Sequence, residues 1–218
     1  VVANADYHHV EQKMLPKKFR NYSESYWSNR TMSPSALLFY VGLNNKIEIP
    51  HHALFFDTDF NQHAKDIYDH PKWPESPLFY TSCTSKSDPN VAPESGETLF
   101  ILIPVATNLI DKEETRKKYF DQVISRMELL TKQKIADHIE FYESYGHKNF
   151  ISDFNSFQGN AYGLANTLFQ TAFLKPKIKN KKISNLYYTG QLTVPGPGMP
   201  PALVSGKVVA DQVMSDIK

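Results

Sequence analysis

The chain has 218 residues, 41% of them hydrophobic and 22% charged, which is enough for one or two packed units with a real core. Its 24 lysines and arginines against 23 aspartates and glutamates leave a formal charge of +1, which gives no electrostatic reason for a nucleic-acid partner. The single cysteine, Cys83, excludes an internal disulfide and reads as a buried small hydrophobe, and the longest apolar run, 99–106, is broken by Pro104 and far too short to span a bilayer.

Val1-Val-Ala-Asn-Ala-Asp6 reads as a strand of a buried, parallel kind that needs neighbours on both sides, so the chain is expected to be part of a longer polypeptide. A short helix is expected from Tyr7 to about Leu15, ended by Pro16. His8 and His9, adjacent on a helix, and His51 and His52, adjacent on an extended stretch, point in different directions, so no metal site is expected from either pair. From Ser35 the pattern turns to strands: 36–43, 53–56, 78–83 and 98–105, rich in aromatic and branched residues and separated by turn signals, with one or two helical turns at 61–68. Near-continuous apolarity in 37–41 and 100–103 predicts a mixed or antiparallel sheet covered on both faces, one cover being a candidate for a ligand.

The clearest helix is expected from Asp111 to about Ala136, with Asp111 and Glu114 at capping-box spacing and Phe120, Val123, Ile124, Met127 and Leu130 at helical intervals. A strand follows at 138–142, then a mixed segment over 146–176. Lys175, Lys177, Lys179, Lys181 and Lys182 crowd one loop. That loop reads first as a solvated surface and second as a surface for anionic lipid.

The stretch 185–206 reads as a strand, a glycine- and proline-rich turn and a helix. Gly190, Gly196 and Gly198 allow backbone conformations that a β-carbon would forbid, Pro200 and Pro201 suit a first helical turn, and Ala202, Gly206 and Ala210 form a small-residue stripe that would let the helix approach the strand closely. Free amides at the helix N-terminus would face whatever lies over the turn. Spacing alone leaves ordinary α/β punctuation as an equal reading, because short glycine motifs are weak signals.

Gly190-x-x-Thr193-x-Pro195-Gly196-x-Gly198-x-Pro200 resembles the C-terminal flavin-contacting motif of bacterial-type phytoene desaturases and related carotenoid oxidoreductases. Val1-Val-x-Asn-Ala-Asp6 is similar to the strand after which that family leaves its flavin domain. Asp88-Pro-Asn-Val-Ala-Pro93 resembles its Asp-Pro-x-x-Ala-Pro hairpin, and Gln170 and Lys175-Pro176 stand where it usually has Gln and Arg-Pro. Lysine for arginine and Gln191 for a common alanine are departures.

The resemblance implies an α+β fold: a mixed or antiparallel sheet that binds substrate under covering helices (21–154), with the last pieces of a Rossmann-like FAD domain at 1–20 and 155–218. It implies a parent enzyme that holds FAD and removes hydride from a long apolar polyene, in the cytoplasm and peripheral to the inner face of the membrane. Gly190, Thr193, Pro195, Gly196, Gly198, Met199 and Pro200 would be the cofactor contacts. Phe39, Phe55, Phe79 and Tyr80 are substrate-tunnel candidates, each with plain core packing as the competing reading. No His-carboxylate or Ser-His spacing names a catalytic base. The Gly-x-Gly-x-x-Gly fingerprint is missing, so the isolated chain is expected to bind FAD weakly and to be inactive, its partners being an N-terminal flavin-binding half, the polyene, a membrane surface and, through an unfinished sheet, a second copy. Two other readings stand beside this one: another flavoprotein oxidoreductase of the retinol saturase or amine oxidase kind, and a carotenoid or lipid carrier without a flavin.

Overall fold

The structure, a computed structural model, describes residues 1–217. In chain order its elements are β1 (Val2–Ala3), α1 (Tyr7–His9), α2 (Glu24–Ser28), β2 (Ser35–Leu43), β3 (His52–Phe55), α3 (Phe60–Tyr68), β4 (Phe79–Ser82), β5 (Glu97–Val105), α4 (Glu113–Thr131), β6 (Ile139–Tyr145), α5 (His147–Phe154), β7 (Tyr187–Tyr188) and α6 (Met199–Ile217). They form two compact units, one built from 1–35 together with 149–217 and the other from 36–148. The boundaries fall at 35/36 and 148/149, against the expected 20/21 and 154/155. The reason at the first boundary is Trp27, fully buried on the short helix α2, which packs with Tyr7, Tyr22 and Tyr26 and so ties residues 21–35 to the discontinuous unit.

In the discontinuous unit, β1 pairs in parallel with β7, Val2 opposite Tyr187 and Ala3 opposite Tyr188. The core beneath them holds Tyr7, Val10, Trp27, Met32, Leu164, Leu186, Tyr188 and Leu192. Asp6 caps α1 by accepting the His9 amide at 3.0 Å, and the chain continues as a wider π-helical turn over Val10–Met14 before Pro16. Tyr7 stacks on Tyr188 with ring centroids 3.9 Å apart. The fully buried Glu11 binds this cluster together, accepting from the Asn21 and Tyr22 amides at 2.7 and 3.0 Å and from the Tyr188 hydroxyl at 3.1 Å. Burial pushes its carboxyl above the ordinary range, and those donors pull it partway back.

The continuous unit is a five-stranded sheet in the order β3-β4-β5-β2-β6, with β3/β4, β4/β5 and β2/β6 antiparallel. The period-2 alternation of strands decides which residues meet α4. Leu37, Phe39, Val41 and Leu43 of β2 and Leu99, Ile101, Ile103 and Val105 of β5 are buried with Phe120, Val123, Ile124 and Met127 of the helix. Each such side chain contributes about 1.5–3 kcal/mol by leaving water. The alternate residues are not covered in the same way: Tyr40 is 48% exposed, Leu54 66% and Phe141 61%. The expectation of a sheet buried on both faces is therefore met on one face only.

α4 is shorter than its sequence pattern suggests, and the capping box is not formed. Lys112 stands at the N-cap with no side-chain cap, and the helix ends where Lys132 turns left-handed. Asp111 is engaged elsewhere, its carboxylate gripped by Arg116 Nε and Nη2 at 2.7 and 2.5 Å and accepting the Lys148 amide at 3.0 Å. A buried bidentate ion pair outcompetes a cap bond that water could replace.

Candidate functional site

β7 delivers the chain to Thr189 and Gly190, and the turn that follows is fastened to α6 by one buried hydroxyl. Ser205 Oγ receives the Gly190 amide at 3.0 Å and lies 3.0 Å from the hydroxyls of both Thr189 and Thr193. The Thr193 hydroxyl donates to Gly190 O at 2.9 Å and its amide to the same oxygen at 3.0 Å. Since Thr193 has one hydroxyl proton and uses it on Gly190 O, Ser205 donates to Thr193 and accepts from Thr189 and Gly190, and the set closes.

The turn needs its glycines. Gly196 and Gly198 have φ of 126° and 112°, a region unfavourable to residues with a β-carbon, and the Val194–Pro195 peptide between them and Thr193 is cis. A β-carbon on Gly196 would lie 3.1 Å from Lys175 Cε and 3.3 Å from its Nζ. α6 then begins at Met199, with Pro200 and Pro201 in its first turn as the sequence predicts, and Ala202 donates to Gly198 O at 2.9 Å. The prolines carry no amide hydrogen, so Met199 is the only one of the first three helical positions that can offer one. The expected array of free amides is correspondingly reduced. The small-residue stripe is not the packing face either: α6 buries Ser205 and Val209, while Ala202, Gly206 and Ala210 are exposed and nothing lies within 4 Å of a Gly206 β-carbon.

Over this turn lies a cavity of about 530 Å³, within the range of small-molecule sites. Gly190, Gln191, Gly198 and Met199 line one part of it, Asp6 and Phe154 another. Asp6 accepts the Phe157 amide at 3.1 Å besides capping α1, and burial raises its carboxyl pKa against the pull of the His9 and Phe157 amides. Gln191, the departure from the family pattern, donates to Asn160 Oδ1 at 3.0 Å, and that same oxygen accepts the Gly163 amide at 2.8 Å. The glutamine thus stitches the cavity wall to the 159–163 loop.

Of the seven cofactor positions expected from sequence, Gly190, Gly198 and Met199 line the cavity. Thr193 is fully buried behind it as a fastener, Gly196 is buried against Lys175, and Pro195 and Pro200 are exposed without lining it. Ser205 escaped the sequence reading, having no motif of its own; Asp6 and Lys175 stood in stretches resembling the family, but nothing there showed that Asp6 lines a cavity or that Lys175, counted among five loop lysines, is 2% exposed. Gln170 proves to be a clamp: its amide accepts the Thr31 N–H at 2.9 Å and donates to Thr31 O at 2.8 Å.

The tunnel candidates divide between the two faces of the sheet. Phe39, Phe55 and Phe79 belong to the core under α4. Tyr80 lies on the other face, opposite Leu54 and Leu102 in register, with Phe100 6.4 Å away and Tyr40 5.4 Å beyond it between ring centroids. Its hydroxyl is 2.6 Å from His52 Nδ1. Cys83 is fully buried with its thiol donating to Glu97, and burial pushes its pKa up to about 11, the behaviour of an inert thiol. Among the described residues no group of three or more His, Cys, Asp or Glu could hold a metal ion, and no helix is long and apolar enough to cross a membrane.

No family model matches the chain. Over its whole length it is 39% identical to the carotenoid 3,4-desaturase of Haloarcula japonica. It is 29% identical over 228 aligned residues to a 4,4'-diapophytoene desaturase of Staphylococcus haemolyticus, and 26% identical over 223 to the zeta-carotene-forming phytoene desaturase of Myxococcus xanthus. It covers 44%, 45% and 42% of these proteins, so the chain spans less than half the length of the curated relatives it matches. Its fold is similar to that of a solved oxidoreductase from Methanosarcina mazei, with a TM-score of 0.55 and 12% identity over 97% of this chain and 42% of that one.

Proposed function

We propose, from the premise that this chain belongs to the carotenoid and phytoene desaturase family, that its parent is an FAD-dependent enzyme which dehydrogenates a long apolar polyene. The observation that carries the cofactor reading is the cavity over the 190–199 turn. Its glycines let backbone approach a planar ring closely, its size suits that ring, and an unpaired buried amine lies under the same turn. These features fit a flavin. FAD, when bound, supplies the hydride acceptor at its ring nitrogen N5.

The protein's own residues have the remaining tasks. Gly190 and Gly198 would bring backbone to the cofactor, with the Ser205 hydroxyl holding the turn in the shape that permits this. The aromatic face of the continuous unit, with Tyr40, Tyr80 and Phe100, would lie against the polyene and keep water from it. The 218 residues contain no Gly-x-Gly-x-x-Gly sequence, so the ADP half of FAD would be held by another part of the parent, and the isolated chain would be inactive. The exposed Lys177, whose amine donates to Phe173 O at 3.2 Å, the exposed Lys181 and Lys182, and the 77% exposed Phe173 support peripheral contact with an anionic membrane.

The test is visible absorbance of the purified chain with FAD, alone and after addition of the remainder of the parent polypeptide. A flavin spectrum that appears only with the remainder supports this reading. Desaturation of a carotene by the chain alone would refute the expected inactivity, and carotenoid uptake without flavin in either mixture would favour a carrier.

A further inference from the structure

Lys175 is buried to 2% exposure and its Nζ has no hydrogen-bond partner, and no ion pair is found for it among the described residues. Other lysines of the chain that lose water gain acids in exchange. Lys86 Nζ is 2.7 Å from Glu97, and Lys179 Nζ is 2.6 Å from Asp216. Lys175 has only desolvation, which lowers its pKa. A buried amine left unpaired is among the costlier things a fold can contain, and a methionine of similar volume would avoid it.

Its place in the fold suggests what the amine is for. Nζ sits 3.3 Å from where a Gly196 β-carbon would be, so the amine lies enclosed directly beneath the turn and a side chain at 196 would press on it. That turn leads into the 19-residue helix α6. The positive end of its dipole favours an anion, yet Pro200 and Pro201 remove two of the amides that would normally bind one. A cation beneath the turn replaces what the prolines take away.

We infer that Lys175 and Gly196, which lie beneath the turn and behind the residues that line the cavity, form with the start of α6 an anion subsite bordering it, with the lysine amine as its positive charge. The ligand is an electron-rich oxygen or nitrogen of the cofactor, from either the pyrimidine edge of the flavin ring or the diphosphate. Lys175 is thus a binding residue kept at the expense of stability. The inference rests on the flavin reading, and the test separates the two.

The 218-residue chain and its Lys175→Met and Lys175→Arg variants, each joined by the remainder of the parent polypeptide, are titrated with riboflavin, which has the ring without phosphate, and with inorganic pyrophosphate, followed by amide chemical shifts at 190–202, and each chain is unfolded in urea. The expected result is a Met variant at least as stable as the natural chain, with affinity for one probe lowered about 10-fold or more, as for loss of a charge-assisted bond, and largely retained by arginine. A riboflavin effect assigns the subsite to the ring edge and a pyrophosphate effect to the diphosphate. Pyrophosphate binding that depends on Lys175, with no riboflavin binding, keeps the anion subsite and removes the flavin reading. Riboflavin binding with both probes bound equally by the natural and Met chains keeps the flavin reading and overturns the role of Lys175. Binding of neither probe, or a Met variant that is destabilised with affinities unchanged, overturns the inference as well.

Discussion

The hydroxyl of Thr193 lies 3.0 Å from that of Ser205, and through this contact a turn and a helix twelve residues apart are locked into one piece. Ser205→Ala removes the shared partner of Thr189, Gly190 and Thr193 in a fully buried setting. The expected loss is about 1–3 kcal/mol, the cost of leaving buried groups unsatisfied, read from urea denaturation. Amide exchange at Gly190 should quicken in the same variant, whereas exchange in α4, in the other unit, should not.

The Asp111–Arg116 pair predicts a larger effect. Burial alone would raise the Asp111 pKa, but the Arg116 bond and the Lys148 amide hold it below the usual range. Asp111→Ala removes the bidentate carboxylate from a buried guanidinium, whose bonds to Ser144 and distant contact with exposed Glu113 do not replace it, so a loss of about 3–5 kcal/mol is expected. Asp121→Ala, which removes only the exposed partner of Lys117, should leave the urea midpoint where it was.

His63 predicts a pH dependence. Its Nδ1 accepts the Leu78 amide at 3.0 Å while Nε2 donates to Pro104 O at 2.8 Å. A protonated ring would set a new N–H against the Leu78 N–H, and burial already lowers the pKa below 6.5. The folded pKa lies below the unfolded one, so this stability is present above about pH 6.5 and is lost as the pH falls through the folded value, with a limiting slope of about 1.4 kcal/mol per pH unit. Asp6 and Glu11, whose pKa values are raised by burial, work in the opposite direction. The check is therefore the difference between the natural chain and His63→Gln, measured from pH 7 to pH 5. The variant should show the shallower acid loss.

The two faces of the sheet should respond differently to truncation. Phe39→Ala opens a cavity in a fully buried position and should cost about 3–5 kcal/mol. Tyr80→Leu, on the face away from α4, should change stability by less than about 1 kcal/mol yet weaken carotenoid uptake several-fold, followed by the absorbance of bound pigment. Equal uptake by both proteins would remove that face from the substrate reading.

Local chemistry made parts of this fold legible and left others hidden. The strands were readable because branched and aromatic runs were punctuated by turn residues, and β2 and β5 lie within one residue of their expected bounds. α2 and α5 were missed, being five and eight residues long, with few apolar positions from which to read a period. Asp111 misled because a capping pattern cannot reveal that an arginine five residues away will take the carboxylate. At the site, Gly196 and Gly198 were readable because positive φ leaves a residue signature. Lys175 was not, since charge is written in the sequence and depth is not. Thr193 matched its motif but holds the turn instead of facing the cavity, a distinction only the Ser205 contact reveals.

The parallel pairing of Val2 with Tyr187 also sets an order of events during synthesis. Translation proceeds from the N-terminus, so β1 leaves the ribosome long before its partner exists, and all of 36–148 emerges in the interval. That intervening segment makes its own antiparallel sheet without help from either end, and it is expected to fold first. β1 must meanwhile wait without its β7 partner until about 185 further residues have been added and a long loop can close at an entropic cost that grows only slowly with its length.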